Sequence, residues 1–338
     1  MIKSKDSLTL GIVGVRGYVG RELIRLLAGH PNIKVQWVSS RQLKGITLNE
    51  FLSDVAYFNK EILEPEHYYN NLKIETLSEI EVASRNTDII VLALPNGLAA
   101  PFVTEIEKQL NSKMIIDLSA DYRFDESWQY SIPELNSIFS SNKKNDSGLM
   151  KTEPGLKKIS NPGCYATAMQ IALAPLAKHI KGVANCFGVS GFSGAGKKPS
   201  ANNNPDNLKD NILPYGLIEH LHEKEVSFHL DMSIHFSPHV AQFFRGISMT
   251  VQAELKECWT IDSINDLFVN FYDEQLVVKI NKAIPNIQQV TNSNNCHVGG
   301  FSLSENGKRL TLVSCLDNLL KGAASQAIQN IELFYDTK

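Results

Sequence analysis

The first half of the chain contains short, continuous runs of apolar residues. Such runs are typical of parallel-sheet strands buried on both faces, whereas half-exposed strands alternate apolar and polar positions. After the first run, apolar residues recur at helical spacing at Val19, Leu23 and Leu27, so the chain opens with a predicted βαβ unit. The pattern predicts a doubly wound α/β domain, with strands over Leu8 to Val13, Val35 to Val38, Ile89 to Leu94 and Met114 to Leu118.

The second half has a different period. From Arg245 onward, apolar and polar residues alternate strictly, which predicts an antiparallel strand with one solvated face. Two further segments, Cys296 to Ser304 and Arg309 to Cys315, flank an Asn306-Gly307 dipeptide. Asn-Gly between such segments is a strong hairpin signal. This half therefore predicts an α+β domain with an antiparallel or mixed sheet, in which Ile247, Met249, Val251, Ala253 and Leu255 share one face.

Three more segments complete the outline. The stretch from Ser137 to Lys158 is polar and poor in aromatic residues, so it predicts an exposed loop. A helix is predicted from Tyr165 to about Lys178, with a kink at Pro175 because proline lacks the backbone N–H. Apolar residues at helical spacing predict a last helix from Asn318 to Phe334.

Composition narrows the class of protein and of partner. The 338 residues suffice for two domains, and 43% hydrophobic with 20% charged residues is typical of a globular protein. A net charge of −3 gives no reason to expect a nucleic acid or a membrane surface as partner, so we expect a small molecule. The start has no signal-peptide core and the run from Leu8 to Val15 is too short to span a bilayer, so we expect a cytoplasmic protein.

A glycine-rich turn lies between the first predicted strand and helix. Glycines at this place let the backbone approach a pyrophosphate, whose charge the helix N-terminus stabilises. The alternative is that they serve only close packing of strand and helix. The turn reads Gly14-Val15-Arg16-Gly17-Tyr18-Val19-Gly20.

The end of the second strand bears on the choice of dinucleotide. Domains that bind NAD usually place an acidic residue here for the ribose hydroxyls, but this chain has Ser40 and Arg41. A hydroxyl and a guanidinium favour a 2′-phosphate, so we predict NADP. The alternative is that Arg41 is a solvated loop charge.

Cys164 follows Pro162-Gly163 and precedes a predicted helix. The positive end of a helix stabilises a thiolate and lowers the thiol pKa, which makes the sulfur nucleophilic. Backbone N–H groups of the same turn could receive an oxyanion. The alternative is that Cys164 is a small buried apolar residue. The five cysteines include no CxxC pair, which argues against a disulfide framework and a zinc site, and we expect the other four to be structural.

An acid or base could come from the segment Glu219 to Glu225. On an extended segment, His220 and His222 would point to the same side, and one could relay a proton. A metal site is the competing interpretation, but the spacing specifies no third ligand, so we predict none.

Besides the glycine turn, the chain contains five further motifs: Asp117-Leu118-Ser119-Ala120-Asp121-Tyr122-Arg123-Phe124, Ser160-Asn161-Pro162-Gly163-Cys164-Tyr165, Gly188-Val189-Ser190-Gly191-Phe192-Ser193-Gly194-Ala195-Gly196, Ser237-Pro238-His239 and Asp317-Asn318-Leu319-Leu320-Lys321-Gly322-Ala323-Ala324. Together these motifs resemble the N-acetyl-gamma-glutamyl-phosphate reductase family from end to end. Many members have a His-Arg-His-x-Pro-Glu run where this chain has His220-Leu221-His222-Glu223-Lys224-Glu225, a form similar to the fungal-type branch.

The resemblance implies a fold like that of aspartate-semialdehyde dehydrogenase. It implies a Rossmann-type dinucleotide-binding domain over residues 1–163, completed by a C-terminal helix over 317–338, and a catalytic and oligomerisation domain over 164–316. It implies a homo-oligomer, a dimer or a tetramer. Further implied residues are Glu225 with the catalytic group, Pro95, Asn96, Ser193, Gly194 and Asn318 at the cofactor, and Asn161, Ser190, Gly191, Lys197 and Arg245 at the substrate.

The activity implied is NADPH-dependent reduction of N-acetyl-gamma-glutamyl phosphate to the semialdehyde, through a thioester on Cys164, in arginine biosynthesis. The residues leave alternatives open: another acyl phosphate with a different cap or chain length, a hydrolase using the same cysteine, or a non-catalytic NADP-binding regulator. They do not choose between His220 and His222, nor between Arg245, Lys197 and Lys198 as the positive group for the substrate.

Overall fold

The computed structural model describes residues 7–53, 67–109, 112–142 and 156–335. The chain divides into two compact units, which are described separately below. The first unit contains residues 1–130, 152–161 and 327–338, and the second contains residues 131–151 and 162–326.

The first unit is built on a seven-stranded sheet whose strand pairs are all parallel. Its strands are β1 Leu8–Val13, β2 Ile33–Ser39, β3 Ile74–Glu75, β4 Ile89–Leu92, β5 Met114–Asp117, β6 Gln129–Tyr130 and β7 Lys157–Ser160. Their spatial order is β3-β2-β1-β4-β5-β7-β6. The order reverses between β1 and β4, and the carboxyl ends of strands at such a point form the ligand-binding crevice of doubly wound sheets.

Helices cover the buried strands of this sheet. They are α1 Tyr18–Ala28, α2 Leu48–Ser53, α3 Glu79–Ser84 and α4 Ala100–Gln109. β4 and β5 are buried at every position, as their continuous apolar sequence predicts. The doubly wound α/β class predicted for the first half is therefore confirmed.

The second unit is built on a seven-stranded mixed sheet. Its strands are β8 Ile180–Gly191, β9 Ile212–Pro214, β10 Ile234–Ala241, β11 Ile247–Leu255, β12 Val278–Asn281, β13 Cys296–Leu303 and β14 Arg309–Leu316. β10 pairs with β8 and β12 with β13 in parallel, and the other pairs are antiparallel. Along β11 the five apolar residues of the predicted face are buried. The α+β class is confirmed, and so is the hairpin of β13 and β14.

The helices of this part of the chain are α5 Asn136–Asn142, α6 Cys164–Leu173, α7 Pro205–Leu208, α8 Leu221–Leu230, α9 Ile261–Phe271, a π turn over Leu320–Ala324, and α10 Ser325–Tyr335. Every residue of α6 after Cys164 is buried. From residue 327 onward, α10 is counted with the first unit. Within the described residues, no helix is both long and apolar enough to cross a bilayer.

Two predictions about segments are wrong in part. The stretch from Ser137 to Lys158 was expected to be a loop, but α5 covers its start because Phe139 is buried, with its ring 5.8 Å from that of His229. Its end forms β7, which pairs with β5, and residues 143–155 lie outside the described ranges. The helix expected to reach Lys178 ends at Leu173 and continues as a 3-10 turn containing Pro175, which cannot donate an α-helical hydrogen bond.

Candidate active site

In the glycine turn of the first unit, the three glycines are required, or not required, for different physical reasons. Gly14 has φ +91°, and a Cβ built on it would lie 2.2 Å from the carbonyl oxygen of Ala93. A Cβ on Gly20 would lie 2.7 Å from Cα of Val15, so this glycine permits close packing of α1. At Gly17 the nearest atom would be 3.6 Å away, which is ordinary contact, so protein packing does not require glycine there.

Gly17 is also the N-cap residue of α1 and has no side chain to accept from the first-turn N–H groups. An open helix N-terminus at the end of β1 suits an anion such as a pyrophosphate. Around it, Arg16 is exposed, while Tyr18 and Val19 are half-buried.

Ser40 and Arg41 follow β2, the strand next to β1. Ser40 is buried and its Oγ accepts a hydrogen bond from the backbone nitrogen of Gln42 at 3.3 Å. The side chain of Arg41 is 78% exposed and lies 3.9 Å from Glu79, a long surface ion pair. A guanidinium held this loosely is available to a phosphate, so these residues fit the 2′-phosphate of NADP.

Pro95 and Asn96 lie on an exposed loop after β4. Asn96 accepts a hydrogen bond from the backbone nitrogen of Ala120 at 3.0 Å. Asp121 accepts from the backbone nitrogens of Gly97 at 2.6 Å and Ala99 at 3.0 Å. Asp121 was not singled out from the sequence as a site residue, yet its carboxylate fixes this predicted cofactor loop.

In the second unit, Cys164 is the first residue of α6 and is partly exposed. The N-cap residue is Gly163, so no side chain at the N-cap accepts from the first turn of the helix. The backbone N–H of Gly163 donates to Oε1 of the fully buried Glu225 at 2.9 Å. A thiolate at this position is stabilised by the helix macrodipole, and the helix N–H groups face a developing negative charge.

The prediction that His220 and His222 share an extended segment is wrong. His220 is the N-cap residue of α8, and its Nδ1 accepts a hydrogen bond from the backbone nitrogen of His222 at 3.1 Å. Histidine is not a preferred N-cap residue, so no residue in this segment signals the start of a helix. The two rings are nevertheless neighbours, with centroids 5.0 Å apart.

The environment of His220 favours its neutral form. Burial lowers its pKa below the usual value, although nearby Glu223 opposes the shift. Because Nδ1 accepts a hydrogen bond, the proton of the neutral ring lies on Nε2. Protonation of Nδ1 would break the cap of α8.

Two tyrosines that sequence reasoning did not select lie at the thiol. The phenol of Tyr165 donates to the carbonyl oxygen of His239 at 2.5 Å, and Tyr165 and Tyr215 are both close enough to Cys164 to interact with it electrostatically. Burial raises the pKa of each phenol well above its usual value, so both remain neutral. The ring of Tyr165 also lies 5.9 Å from that of His222. An aromatic residue between Pro214 and Gly216, just before the histidine segment, was the available signal.

The serine- and glycine-rich run that begins at the end of β8 contacts Asn318. Asn318 donates from Nδ2 to Oγ of Ser193 at 2.9 Å and accepts at Oδ1 from the nitrogen of Gly246 at 2.7 Å. A Cβ on Gly194 would lie 3.2 Å from Oγ of Ser190 and 3.8 Å from Nδ2 of Asn318. The structure therefore brings the end of β8, with Ser190 and Gly191, and the following turn, with Ser193 and Gly194, together with Asn318.

Arg245 is engaged in a buried network. Its Nε lies 2.6 Å from Oδ2 of Asp317, and its guanidinium also donates to Asn292 at 2.8 Å. The Arg245 side chain is 6% exposed, so its charge is paired with Asp317 inside the protein and stabilises the loop before β11. Lys197, the other predicted substrate cation, is half-buried.

Asn161 belongs to the first unit and is buried. Its Oδ1 accepts from Nδ2 of Asn330 at 3.3 Å, and its carbonyl oxygen accepts from Nε of Arg123 at 3.2 Å. These contacts anchor the chain at the end of β7.

Of the other four cysteines, Cys186, Cys296 and Cys315 are buried. Burial raises the pKa of Cys186 and Cys296 to about 12 and that of Cys315 to about 11. Cys258 is exposed. Over the described ranges, no group of three or more His, Cys, Asp or Glu residues is placed to hold a metal ion.

Known families match both parts of the chain. The family model described as "Semialdehyde dehydrogenase, NAD binding domain" matches residues 9–141, and the one described as "Semialdehyde dehydrogenase, dimerisation domain" matches residues 164–318.

Among solved structures, the fold is similar to aspartate semialdehyde dehydrogenase II of Vibrio cholerae complexed with ASA, with a TM-score of 0.72 and 16% identity over 98% of this chain and 99% of that one. It is also similar to the Candida albicans aspartate semialdehyde dehydrogenase with NADP, with a TM-score of 0.73 and 15% identity over the same shares. At these identities the likeness shows the fold alone.

Curated relatives are closer in sequence. A protein of Xanthomonas campestris pv. campestris (strain B100) named N-acetyl-gamma-glutamyl-phosphate reductase is 43% identical over 325 residues, covering 96% of this chain and 95% of that protein. One of the same name from Stenotrophomonas maltophilia (strain R551-3) is 44% identical over 328 residues, covering 97% and 95%. Relatives of this name match nearly the whole chain, and the two predicted domain folds and the cysteine turn are present. The chain therefore belongs to the N-acetyl-gamma-glutamyl-phosphate reductase family.

Proposed function

We propose that this protein reduces N-acetyl-gamma-glutamyl phosphate to N-acetylglutamate semialdehyde, with release of phosphate, in arginine biosynthesis. The observation that carries the proposal is the partly exposed thiol of Cys164 at a helix N-terminus whose N-cap residue has no side chain. The ring of the next residue, Tyr165, lies 5.9 Å from that of His222. Family membership supplies the substrate class, and the glycine turn of the first unit supports the cofactor.

Cys164 is the nucleophile. Its thiolate attacks the γ-carbonyl carbon, the C–S bond forms, and the C–O bond to phosphate breaks, so that the acyl group remains on sulfur as a thioester. The N–H groups of the first turn of α6 face the oxyanion of the tetrahedral intermediate. NADPH, when bound, supplies the hydride that converts the acyl group to the aldehyde.

The two histidines have different roles. Since Nδ1 of His220 caps α8, protonating it would cost a hydrogen bond as well as desolvation. We infer that neutral His220 donates a hydrogen bond from Nε2, whereas His222 exchanges the proton of the thiol. Glu225 positions the nucleophile through the backbone of Gly163.

The first unit binds NADP in this proposal. The N-terminus of α1 at Gly17 holds the pyrophosphate, and Arg41, which is exposed and only weakly paired, binds the 2′-phosphate. Pro95 and Asn96, on the loop fixed by Asp121, line the same carboxyl edge of the sheet.

The substrate and the assembly follow from the second unit. Lys197 is the better candidate to meet the substrate's negative charge, because the guanidinium of Arg245 is already held by Asp317. We propose a homo-oligomer, a dimer or tetramer, since a dimerisation-domain model matches residues 164–318. This unit also exposes large apolar side chains, among them Phe187, Ile212 and Ile218.

The test is the reverse reaction, followed as NADP reduction at the absorbance of the reduced nicotinamide. N-acetylglutamate semialdehyde with phosphate should give a signal that requires phosphate, and aspartate semialdehyde should give none. Cys164→Ser should abolish the signal, with NADP binding retained. Turnover by that variant would contradict the thioester, and activity with aspartate semialdehyde alone would replace the proposed substrate.

A further inference from the structure

The turn after Asn318 has a wide hydrogen-bond pattern. The backbone nitrogens of Gly322 and Ala324 donate to the carbonyl oxygens of Asp317 and Leu319, each at 2.9 Å and each five residues earlier. These bonds define the π turn over Leu320–Ala324. Such turns are rare and occur frequently at functional sites, because the extra residue shifts the backbone locally.

Gly322 of this π turn packs directly on Cys164. A Cβ built on Gly322 would lie 2.7 Å from Cβ of Cys164 and 3.2 Å from its Cα. A contact of that length forces one of the two segments to move. The backbone of the π turn therefore forms one wall of the position that the Cys164 side chain occupies.

The residue before Gly322 is a fully buried cation. The side chain of Lys321 is 0% exposed, and its Nζ donates to both carboxylate oxygens of Glu134, at 2.8 and 2.7 Å. Glu134, whose side chain is 1% exposed, lies in a 3-10 turn over Pro133–Leu135. Separating the two charges would break two charge-assisted hydrogen bonds in a buried place, so the pair holds the π turn against the 3-10 turn.

We propose that the Lys321–Glu134 ion pair and Gly322 together fix the π turn against Cys164 and so hold the thiol at the N-terminus of α6. Lys321, Glu134 and Gly322 are positioning residues for the nucleophile, since they act through the Cys164 backbone. The effect on turnover rests on the proposed function, but the effect on thiol reactivity does not.

The first test is Gly322→Ala in a Cys258→Ser background. Alanine is compatible with the helical backbone of this turn, so the main change is the contact with Cys164. We expect iodoacetamide alkylation of Cys164 at pH 7 to slow by about tenfold or more, and its pH midpoint to rise, because the thiolate leaves the helix axis. The matched control is Gly29→Ala, where a Cβ would meet no atom within 4 Å. An unchanged midpoint in Gly322→Ala would overturn the proposal.

The second test separates positioning from stability. Lys321→Met removes the cation bound to the buried carboxylate of Glu134, whereas Lys321→Met with Glu134→Leu removes both charges at similar volume, a change that folds often tolerate. We expect the double variant to regain the thermal stability that Lys321→Met loses. Its pH midpoint for Cys164 alkylation should still lie above that of the wild type and its kcat should be lower, with the KM for NADPH unchanged. A double variant with wild-type alkylation and kcat would show that the pair is structural only. If the wild type reduces no NADP, the proposed function fails, while the alkylation profiles still decide this point.

Discussion

The backbone N–H of Gly163 donates a hydrogen bond of 2.9 Å to the buried carboxylate of Glu225. This contact joins the turn before Cys164 to helix α8, the helix that His220 caps. It ties a buried carboxylate to the place where α6 begins.

Glu225→Ala should destabilise the fold and slow the chemistry. It leaves the N–H of Gly163 buried without its acceptor, which costs about 1–3 kcal/mol. Glu225→Gln keeps an oxygen acceptor and is the matched control. Thermal unfolding and kcat of the two variants measure the difference, and equal loss in both would show that the negative charge, rather than the hydrogen bond, is required.

Gly17→Ala should weaken cofactor binding without affecting stability. Gly17 has φ −62° and ψ 161°, which alanine adopts readily, and a Cβ there meets only one atom, at 3.6 Å. If the pyrophosphate binds at the N-terminus of α1 as proposed, the Cβ would take up space that it needs. We expect the Kd for NADPH to rise at least about tenfold, roughly 1.4 kcal/mol.

Gly20→Ala provides the contrast. Its Cβ would lie 2.7 Å from Cα of Val15, so the Tm should fall sharply. If Gly17→Ala lowers the Tm as much as Gly20→Ala and binds NADPH normally, the turn serves packing only.

Arg41→Ala should change the choice of cofactor. Since this side chain is 78% exposed with one long ion pair, its loss should alter stability by less than about 0.5 kcal/mol. Its loss should raise the Kd for NADPH about tenfold and leave NADH binding unchanged, because only NADPH carries the 2′-phosphate. Parallel titrations with both nucleotides measure this, and an equal change for the two would assign Arg41 a general electrostatic role.

His220→Asn should flatten the dependence of stability on pH. Burial lowers the pKa of His220 in the folded state, so the unfolded chain takes up this proton first as pH falls. The contribution to stability is therefore present above about pH 6.5, the unfolded value, and is lost as pH falls through the folded pKa. Asparagine still caps α8 but does not titrate. Urea unfolding at pH 7 and pH 5 should show a smaller loss in the variant, and an identical loss would mean that other groups dominate.

The sequence predicted those elements that the pattern of their own residues determines. β4 and β5 were recognisable because both faces are buried, and β11 because only one is. The two-residue strands β3 and β6 were not recognisable, since pairing with β2 and β7 decides them rather than their own composition. Likewise, Phe139 makes a helix of a polar stretch only because a partner lies against its ring.

The residues of the candidate site also fall into those that local sequence predicts and those that it does not. Cys164 and Gly17 were predictable because a helix N-terminus can be read from neighbouring residues. The conformation of His220, the network of Arg245 with Asp317, and the place of Tyr215 depend on contacts between distant segments, which no local pattern reveals. Which of these residues act in turnover remains a prediction.

Because three thiols are buried, the number of alkyl labels that the protein takes up can report on its unfolding. At neutral pH an alkylating reagent should modify Cys164 and Cys258 in the native protein, because burial holds the pKa of Cys186, Cys296 and Cys315 at about 11 to 12. Once the chain opens, every thiol reacts, and each added label changes the mass by a fixed step. Mass spectra taken over time would then resolve a native species with two labels from an opened species with all of them, and intermediate counts would show that the second unit opens in steps.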